Sequence, residues 1–163
     1  VGAAPGAVAW ALEQVDIGMA RAGRTRADVQ RMLVVTARVD DDRQRAIDEM
    51  RPAAAGIYKH REAKTLLSRA GLEVPESIPP LPFIYPDLGH AVDWDAAKAA
   101  TSYVPDEAVE ALVALGSADD VAARARELIA LDIDAIWWRD EGTYTRPDDL
   151  MRGLVEGVLP KLR

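Results

Sequence analysis

Apolar positions along this chain alternate between a helical period and short continuous runs. Val8, Leu12, Val15 and Met19 fall on one face of a helix that Pro5 opens and Gly23 ends. Pro is tolerated in a first turn, where the amide it lacks has no intrahelical partner, and Gly accepts the left-handed conformation past a helix end. Residues 31–39 (RMLVVTARV) are rich in β-branched side chains and nearly continuous in apolar character. That is the pattern of a strand buried on both faces of a parallel sheet. Asp40, Asp41 and Asp42 then offer caps for a helix carrying Ile47 and Met50. Pro52 is expected to interrupt or kink it, with helical character resuming toward Leu66, Leu67 and Gly71.

Residues 72–89 break the rhythm. Pro75, Pro79, Pro80, Pro82 and Pro86 forbid a regular helix or a central strand there. Ala91–Ala99 reads as a short helix, and Pro105 opens another through Val109, Leu112 and Val113. Ser117, with Asp120 three residues on, predicts the start of a helix whose stripe is Val121, Ala125, Leu128 and Ile129. Residues 133–138 (IDAIWW) read as a second strand. Its adjacent tryptophans, Trp137 and Trp138, point to opposite sides, one into the interior and one beneath helices. Leu150, Leu154 and Val158 mark a last helix, stopped by Pro160. Helix, strand, helix, insertion, helix, strand, helix is the order of an α/β fold with parallel strands and right-handed crossovers. The two strands are therefore expected side by side, and Val1-Gly2 as the tail of a third.

Composition narrows the class. The 163 residues suffice for one domain with a real core, at 49% apolar and 29% charged residues. A net charge of −7 disfavours nonspecific binding to nucleic acid or to an anionic membrane. Without Cys, disulfides, thiolate metal sites and Cys nucleophiles are excluded. No apolar run is long enough to cross a bilayer and Val1-Gly2-Ala3-Ala4 is no signal peptide, so a cytoplasmic protein is the expectation. A chain that starts with Val is expected to be a portion of a longer polypeptide.

Three stretches carry a resemblance: GMARAGRTRADV, the first strand followed by VDDDRQRAIDEM, and VPDEAVEALVALGSADDVAARARELIALDID. Together with the order of elements, most specifically in residues 104–163 and 15–50, they resemble the luciferase-like monooxygenase family. That family comprises flavin- and deazaflavin-dependent oxidoreductases on a TIM (β/α)8 barrel. The resemblance implies the C-terminal part of such a barrel, about strands six to eight, in a single domain over 1–163 with a Pro-rich insertion over 72–105. Residues 31–39 and 133–138 would be the seventh and eighth strands. The first five strands, which in the family supply most cofactor contacts and the acid or base residues, are not in this sequence, so catalytic residues stay unassigned. The remaining half of the barrel, or a homo-oligomer partner, is expected to complete the fold.

The resemblance also directs attention to the strand ends. Gly2, Ala3 and Ala4, before a helix N-terminus, are candidate cofactor contacts; the alternative is a tight turn of small residues. Arg139 follows the last strand and would meet a cofactor phosphate or a substrate carboxylate, or else pair on the surface with Asp140 or Glu141. Arg38 lies opposite Ala37, either in the mouth or against the helices, and with Tyr85 and Tyr103 is a candidate substrate contact. Tyr58, Phe83, Tyr85 and Tyr103 either line an aromatic pocket or pack the insertion down. His60 and His90 are either proton donors or polar surface residues, and no metal site is readable. Relatives that oxidise sugar phosphates carry basic residues where this chain reads Ala3-Ala4-Pro5-Gly6 and Glu110-Ala111-Leu112, which disfavours such a substrate. Asp132 replaces a Gly common in relatives.

The resemblance thus implies an oxidoreductase of the luciferase-like class acting on a small organic molecule without a sugar phosphate. It would transfer hydride with the deazaflavin coenzyme F-420, or act as a monooxygenase with reduced flavin mononucleotide (FMN). The other reading is a non-catalytic half-barrel that binds no cofactor and serves as an interaction module.

Overall fold

A computed structural model describes residues 2–58, 60, 62–73, 75–77, 79–80, 84, 87–141 and 147–162. Helix α1 spans Pro5–Arg21, strand β1 Met32–Val39, and helix α2 Arg43–Tyr58. Helices α3 (Ala63–Arg69), α4 (Trp94–Ala100) and α5 (Asp106–Leu112) follow, then strand β2 (Ala114–Gly116) and helix α6 (Ala118–Ile129). Strand β3 is Ala135–Arg139 and helix α7 Asp148–Arg152, continued by a π turn over Gly153–Val158 and a 3-10 turn over Leu159–Leu162.

The strands form one parallel sheet in the order β2-β1-β3. Met32 to Thr36 pair with Ala135 to Arg139, as the two apolar runs predict. The third strand differs from expectation. Val113 leaves the helix in an extended conformation and Ala114 to Gly116 pair with Ala37 to Val39. Three apolar residues after a helix look like its last turn; ladder bonds to β1, invisible in a single segment, make them a strand. Val1 lies outside the described residues. Gly2 is not in a strand, and beside it the Ala3 amide donates to the Leu112 carbonyl at 2.8 Å, so the neighbour of β1 on that side is β2.

Leu33, Val35 and Ala37 point to one layer, where they meet Val8 of α1, Val121 and Leu128 of α6, and Leu154 and Val158 of the terminal turns. A second core joins α2 to α5 around Met50, Val109, Leu112 and Leu115. Leu115 is the ladder partner of Arg38, so this second core roofs the upper end of the opposite sheet face. Helix α1 leaves the core in its second half: Val8 is buried, but Val15 is exposed, against the expected stripe. Pro52 does not break α2. Its ring is buried with Met50 and Ala54, and that packing outweighs the single hydrogen bond its missing amide forgoes. Gly23, at φ 65°, follows the end of α1, and Ser117 and Asp120 form the expected capping box of α6.

Candidate functional site

Strand alternation sorts the sheet into two faces. Met32, Val34, Thr36 and Arg38 share the face away from the α1–α6 layer with Ala135, Trp137 and Arg139. The lower half of that face is bare and apolar: Met32 is 63% exposed and Trp137 61%. Of the two tryptophans, Trp138 packs with the helical layer as expected, while Trp137 is not covered by this chain.

The upper half of the same face is polar. Arg139, the register partner of Thr36, donates through Nη2 to Thr36 Oγ1 at 3.3 Å and to Glu141 Oε1. Thr36 Oγ1 donates to the same Glu141 oxygen at 3.3 Å. Glu141, with its side chain only 10% exposed, continues the alternation past β3 and lies under the insertion. Burial pushes its carboxyl above the ordinary glutamate value, against the opposing pull of Arg139, the Thr36 hydroxyl and the charge of His90.

Arg139 and Glu141 line a cleft of about 330 Å³. Pro52, Gly56 and Ile57 of α2 also line it, together with His60 and His90. The volume is at the small end of ligand sites. His90 closes a 3-10 turn, Leu88–His90, in which Asp87 accepts from the His90 amide at 3.0 Å and lies 2.9 and 3.1 Å from Nδ1. His60 Nδ1 accepts from the Glu62 amide at 3.1 Å. Two histidines thirty residues apart thus reach the same rim as Arg139, a convergence that depends on the insertion folding back over the strand ends.

The other predicted residues lie elsewhere. Arg38 is on the same sheet face, but its guanidinium turns toward Asp40, Nη2 to Oδ2 at 3.7 Å, and toward a second cleft of about 320 Å³ with Arg45 and Asp149. Its Nε is buried without a partner among the described residues. Asp40 accepts from Arg45 Nε at 2.9 Å and Nη2 at 2.6 Å and from the Asp42 amide at 3.0 Å. The Arg45 guanidinium, more than any other cause, holds the Asp40 carboxyl below the usual aspartate range. The actual helix cap of α2 is Asp42, which accepts from the Arg45 amide at 3.0 Å.

Gly2, Ala3 and Ala4 form a packed turn. Ala3 and Ala4 are buried, and a Cβ on Gly2 would lie 2.9 Å from Ile57 Cδ1. One turn on, a Cβ on Gly6 would lie 2.2 Å from the Arg69 carbonyl oxygen. Helix α3 thus packs directly against the first turn of α1. Tyr103 stacks edge-on against Tyr58, centroids 6.3 Å apart at 80°, and lines a third cleft with Pro75 and Pro79. It therefore does not share a wall with Arg139. Tyr85 and Phe83 lie outside the described residues. Of the two alternatives for Arg139, the structure has the ion pair with Glu141, yet places that pair inside a cleft rather than on open surface. Sequence reasoning treated Glu141 only as that partner; its two-residue offset from Arg139 was the available signal.

Among the described residues no helix is long and apolar enough to cross a membrane. No curated protein matches the chain. The coenzyme F-420-dependent tetrahydromethanopterin reductase of Methanopyrus kandleri has a similar fold, with a TM-score of 0.66 at 17% identity. The alignment covers 99% of this chain and 44% of that protein, so this chain spans less than half its length. The family model for luciferase-like monooxygenases matches residues 1–135. With four-fifths of its residues within that match, the chain belongs to the luciferase-like monooxygenase family.

Proposed function

We propose that this chain is the C-terminal part of a luciferase-like barrel, contributing about strands six to eight and the insertion over 72–105, and that the whole is a cofactor-dependent oxidoreductase acting on a small organic molecule. The observation that carries this is the split sheet face. A bare apolar half, Met32, Val34 and Trp137, adjoins a polar half at the strand ends that the insertion roofs. A barrel interior capped by its mouth has this division, and family members place ligands at the C-terminal ends of the strands.

Coenzyme F-420 is the favoured cofactor and FMN the alternative. Support for the deazaflavin comes from the family and from the similarly folded reductase, whose name states that dependence. Both cofactors are anionic. Arg38, whose buried Nε has no partner among the described residues, and Arg139, half-exposed on the cleft, fit an anionic group; Ala3 and Ala4 are buried, so their side chains are packed away from solvent. The bound ring would supply the hydride transfer or, as reduced FMN, the electrons for oxygen chemistry. This chain would hold an anionic end, orient the substrate between α2 and β3, and keep water from that wall. No Lys or Arg stands at Ala3-Ala4-Pro5-Gly6 or Glu110-Ala111-Leu112, which supports a substrate without a sugar phosphate.

The test is a titration with coenzyme F-420 and with FMN, followed by absorbance and fluorescence, in a polypeptide that joins an amino-terminal half-barrel of the family to this chain. One of the two is expected to bind, and Arg139→Ala to weaken it tenfold to a hundredfold, the loss of a charge-assisted hydrogen bond of about 1.5–3 kcal/mol. Equal affinities would remove Arg139 from the site. Binding of neither would leave the non-catalytic half-barrel.

A further inference from the structure

We propose that an apolar cleft at the amino-terminal ends of the strands, between α1 and the start of β1, is a second binding site, and that it takes a small neutral molecule whose apolar body carries one carbonyl acceptor for Arg31. The proposal goes beyond the oxidoreductase reading and does not rest on it. Thr36 and Arg139 pair at the end of the ladder beside the strand-end cleft, and Met32 and Ala135 pair at the other end. At that other end Val8, Leu12 and Val15 of α1, Leu33 of β1 and Ile133 line a cleft of about 330 Å³ together with Arg31. Val8 is buried and Val15 is 40% exposed, so the apolar lining runs from the core to solvent. The volume is roughly twice the ~150 Å³ that accommodates benzene, room for two fused rings.

Arg31 makes this lining selective. Its side chain is only 9% exposed. Nη1 donates to Asp132 Oδ2 at 3.1 Å and Nη2 donates to Asp16. Nε is buried and has no partner among the described residues. A buried N–H without an acceptor is costly, and an acceptor that reaches it removes that cost. The surrounding charge decides what the acceptor is. Arg26 pairs with Asp132 and with Asp134, each at 2.8 Å. Asp16, Asp132 and Asp134 therefore share two guanidiniums, and the excess negative charge opposes an anionic ligand. A cation offers Nε no acceptor. A neutral carbonyl oxygen satisfies the donor without adding charge, and the apolar side chains take the hydrocarbon around it.

α-Tetralone, tetralin and α-naphthoate serve as probes: a neutral ketone, the same two rings without the oxygen, and an anion of similar size. Each is titrated into the isotope-labelled 163-residue chain, and the backbone amides and arginine Nε–H signals are followed by NMR. α-Tetralone is expected to shift the amides of Leu12, Val15 and Leu33 and the Arg31 Nε–H. It should bind at least about tenfold more tightly than tetralin or α-naphthoate, the worth of one charge-assisted hydrogen bond. Arg31→Lys keeps a positive charge beside Asp16 and Asp132 but removes Nε–H, so it should erase the preference over tetralin and leave tetralin binding unchanged. Val15→Trp, at an exposed helical position, should weaken both by filling the cleft. The amide spectrum reports whether each variant is folded; if Arg31→Lys does not fold, the tetralone-to-tetralin ratio and the Arg31 Nε–H shift in the unsubstituted chain decide. Equal affinities for these two probes would overturn the proposal, as would shifts confined to other parts of the chain or a preference that survives Arg31→Lys. The titration is repeated in the polypeptide that joins an amino-terminal half-barrel to this chain. Leu33 packs with the helical layer, not on the bare sheet face, so the same shifts are expected there, and their loss would overturn the site. None of these readings involves a cofactor, so failure here and failure of the oxidoreductase reading are told apart.

Discussion

Val34 of β1 and Trp137 of β3 are register partners in the parallel ladder, and both are exposed, by 42% and 61%. Neighbouring strand positions on the other face, such as Val35, are fully buried. A pair of large apolar side chains at the middle of a parallel ladder normally faces a second layer. For this chain alone, then, the two faces must respond differently to substitution. Trp137→Ser is expected to change unfolding stability by no more than about 0.5 kcal/mol and to reduce self-association. Leu128→Ala, which empties a fully buried position on α6, should cost about 2–5 kcal/mol. Urea unfolding with sedimentation velocity measures both.

Two carboxyls give opposite slopes to stability against pH. Asp40 titrates below its unfolded value because Arg45 binds its charged form, so its contribution is present above roughly pH 4 and is lost as pH falls through the folded value. Glu141 is shifted the other way by burial. The folded chain keeps that proton longer, so stability falls as pH rises from the unfolded glutamate value to the folded one. Asp40→Ala should flatten the acid limb and cost about 1–3 kcal/mol near neutrality, toward the lower end because Arg45 is exposed. Glu141→Gln should flatten the fall above the unfolded glutamate value. Unfolding midpoints across the acid range decide both signs.

Gly153 sits where the terminal segment crosses the end of β1. A Cβ added there would lie 2.7 Å from Val39 Cβ, although the Gly153 backbone, at φ −57° and ψ −40°, suits any residue. Gly→Ala in a helix ordinarily stabilises by up to about 1 kcal/mol. Here the contact reverses the sign, and Gly153→Ala is expected to destabilise by about 1–3 kcal/mol, as overpacking does. A calorimetric melt of the variant reads the direction directly; a raised midpoint would mean the segment crosses β1 at a greater distance.

How far the residues disclosed this structure depends on the kind of signal each element carries. β1, β3 and α6 were legible because each states its own period or cap within a few residues: RMLVVTARV, IDAIWW and the Ser117–Asp120 pair. β2 was not, since three residues hold no period and only pairing with Ala37 to Val39 defines it. Pro52 misled in the opposite direction, because a local rule was overridden by burial of its ring. The candidate site was legible only in pieces. Arg139 followed from its place after a strand. The face of Arg38 followed only once Ala37 was seen in the core, and Glu141, His60 and His90 gathered around Arg139 only through the fold of the insertion. The close packing of Arg69 of α3 against Gly6 at the start of α1 is a tertiary contact with no trace in the Gly2–Gly6 segment.

The central claim is that the Val34–Trp137 face is the interior of a larger barrel, and labelling at that face tests it most directly. The sequence has no Cys, so Trp137→Cys introduces a single thiol. In the 163-residue chain it should react with a maleimide about as fast as an exposed free thiol. In the polypeptide that joins an amino-terminal half-barrel to this chain, the same thiol should react at least about tenfold more slowly, because neighbouring strands cover it. Equal rates in the two proteins would contradict the account.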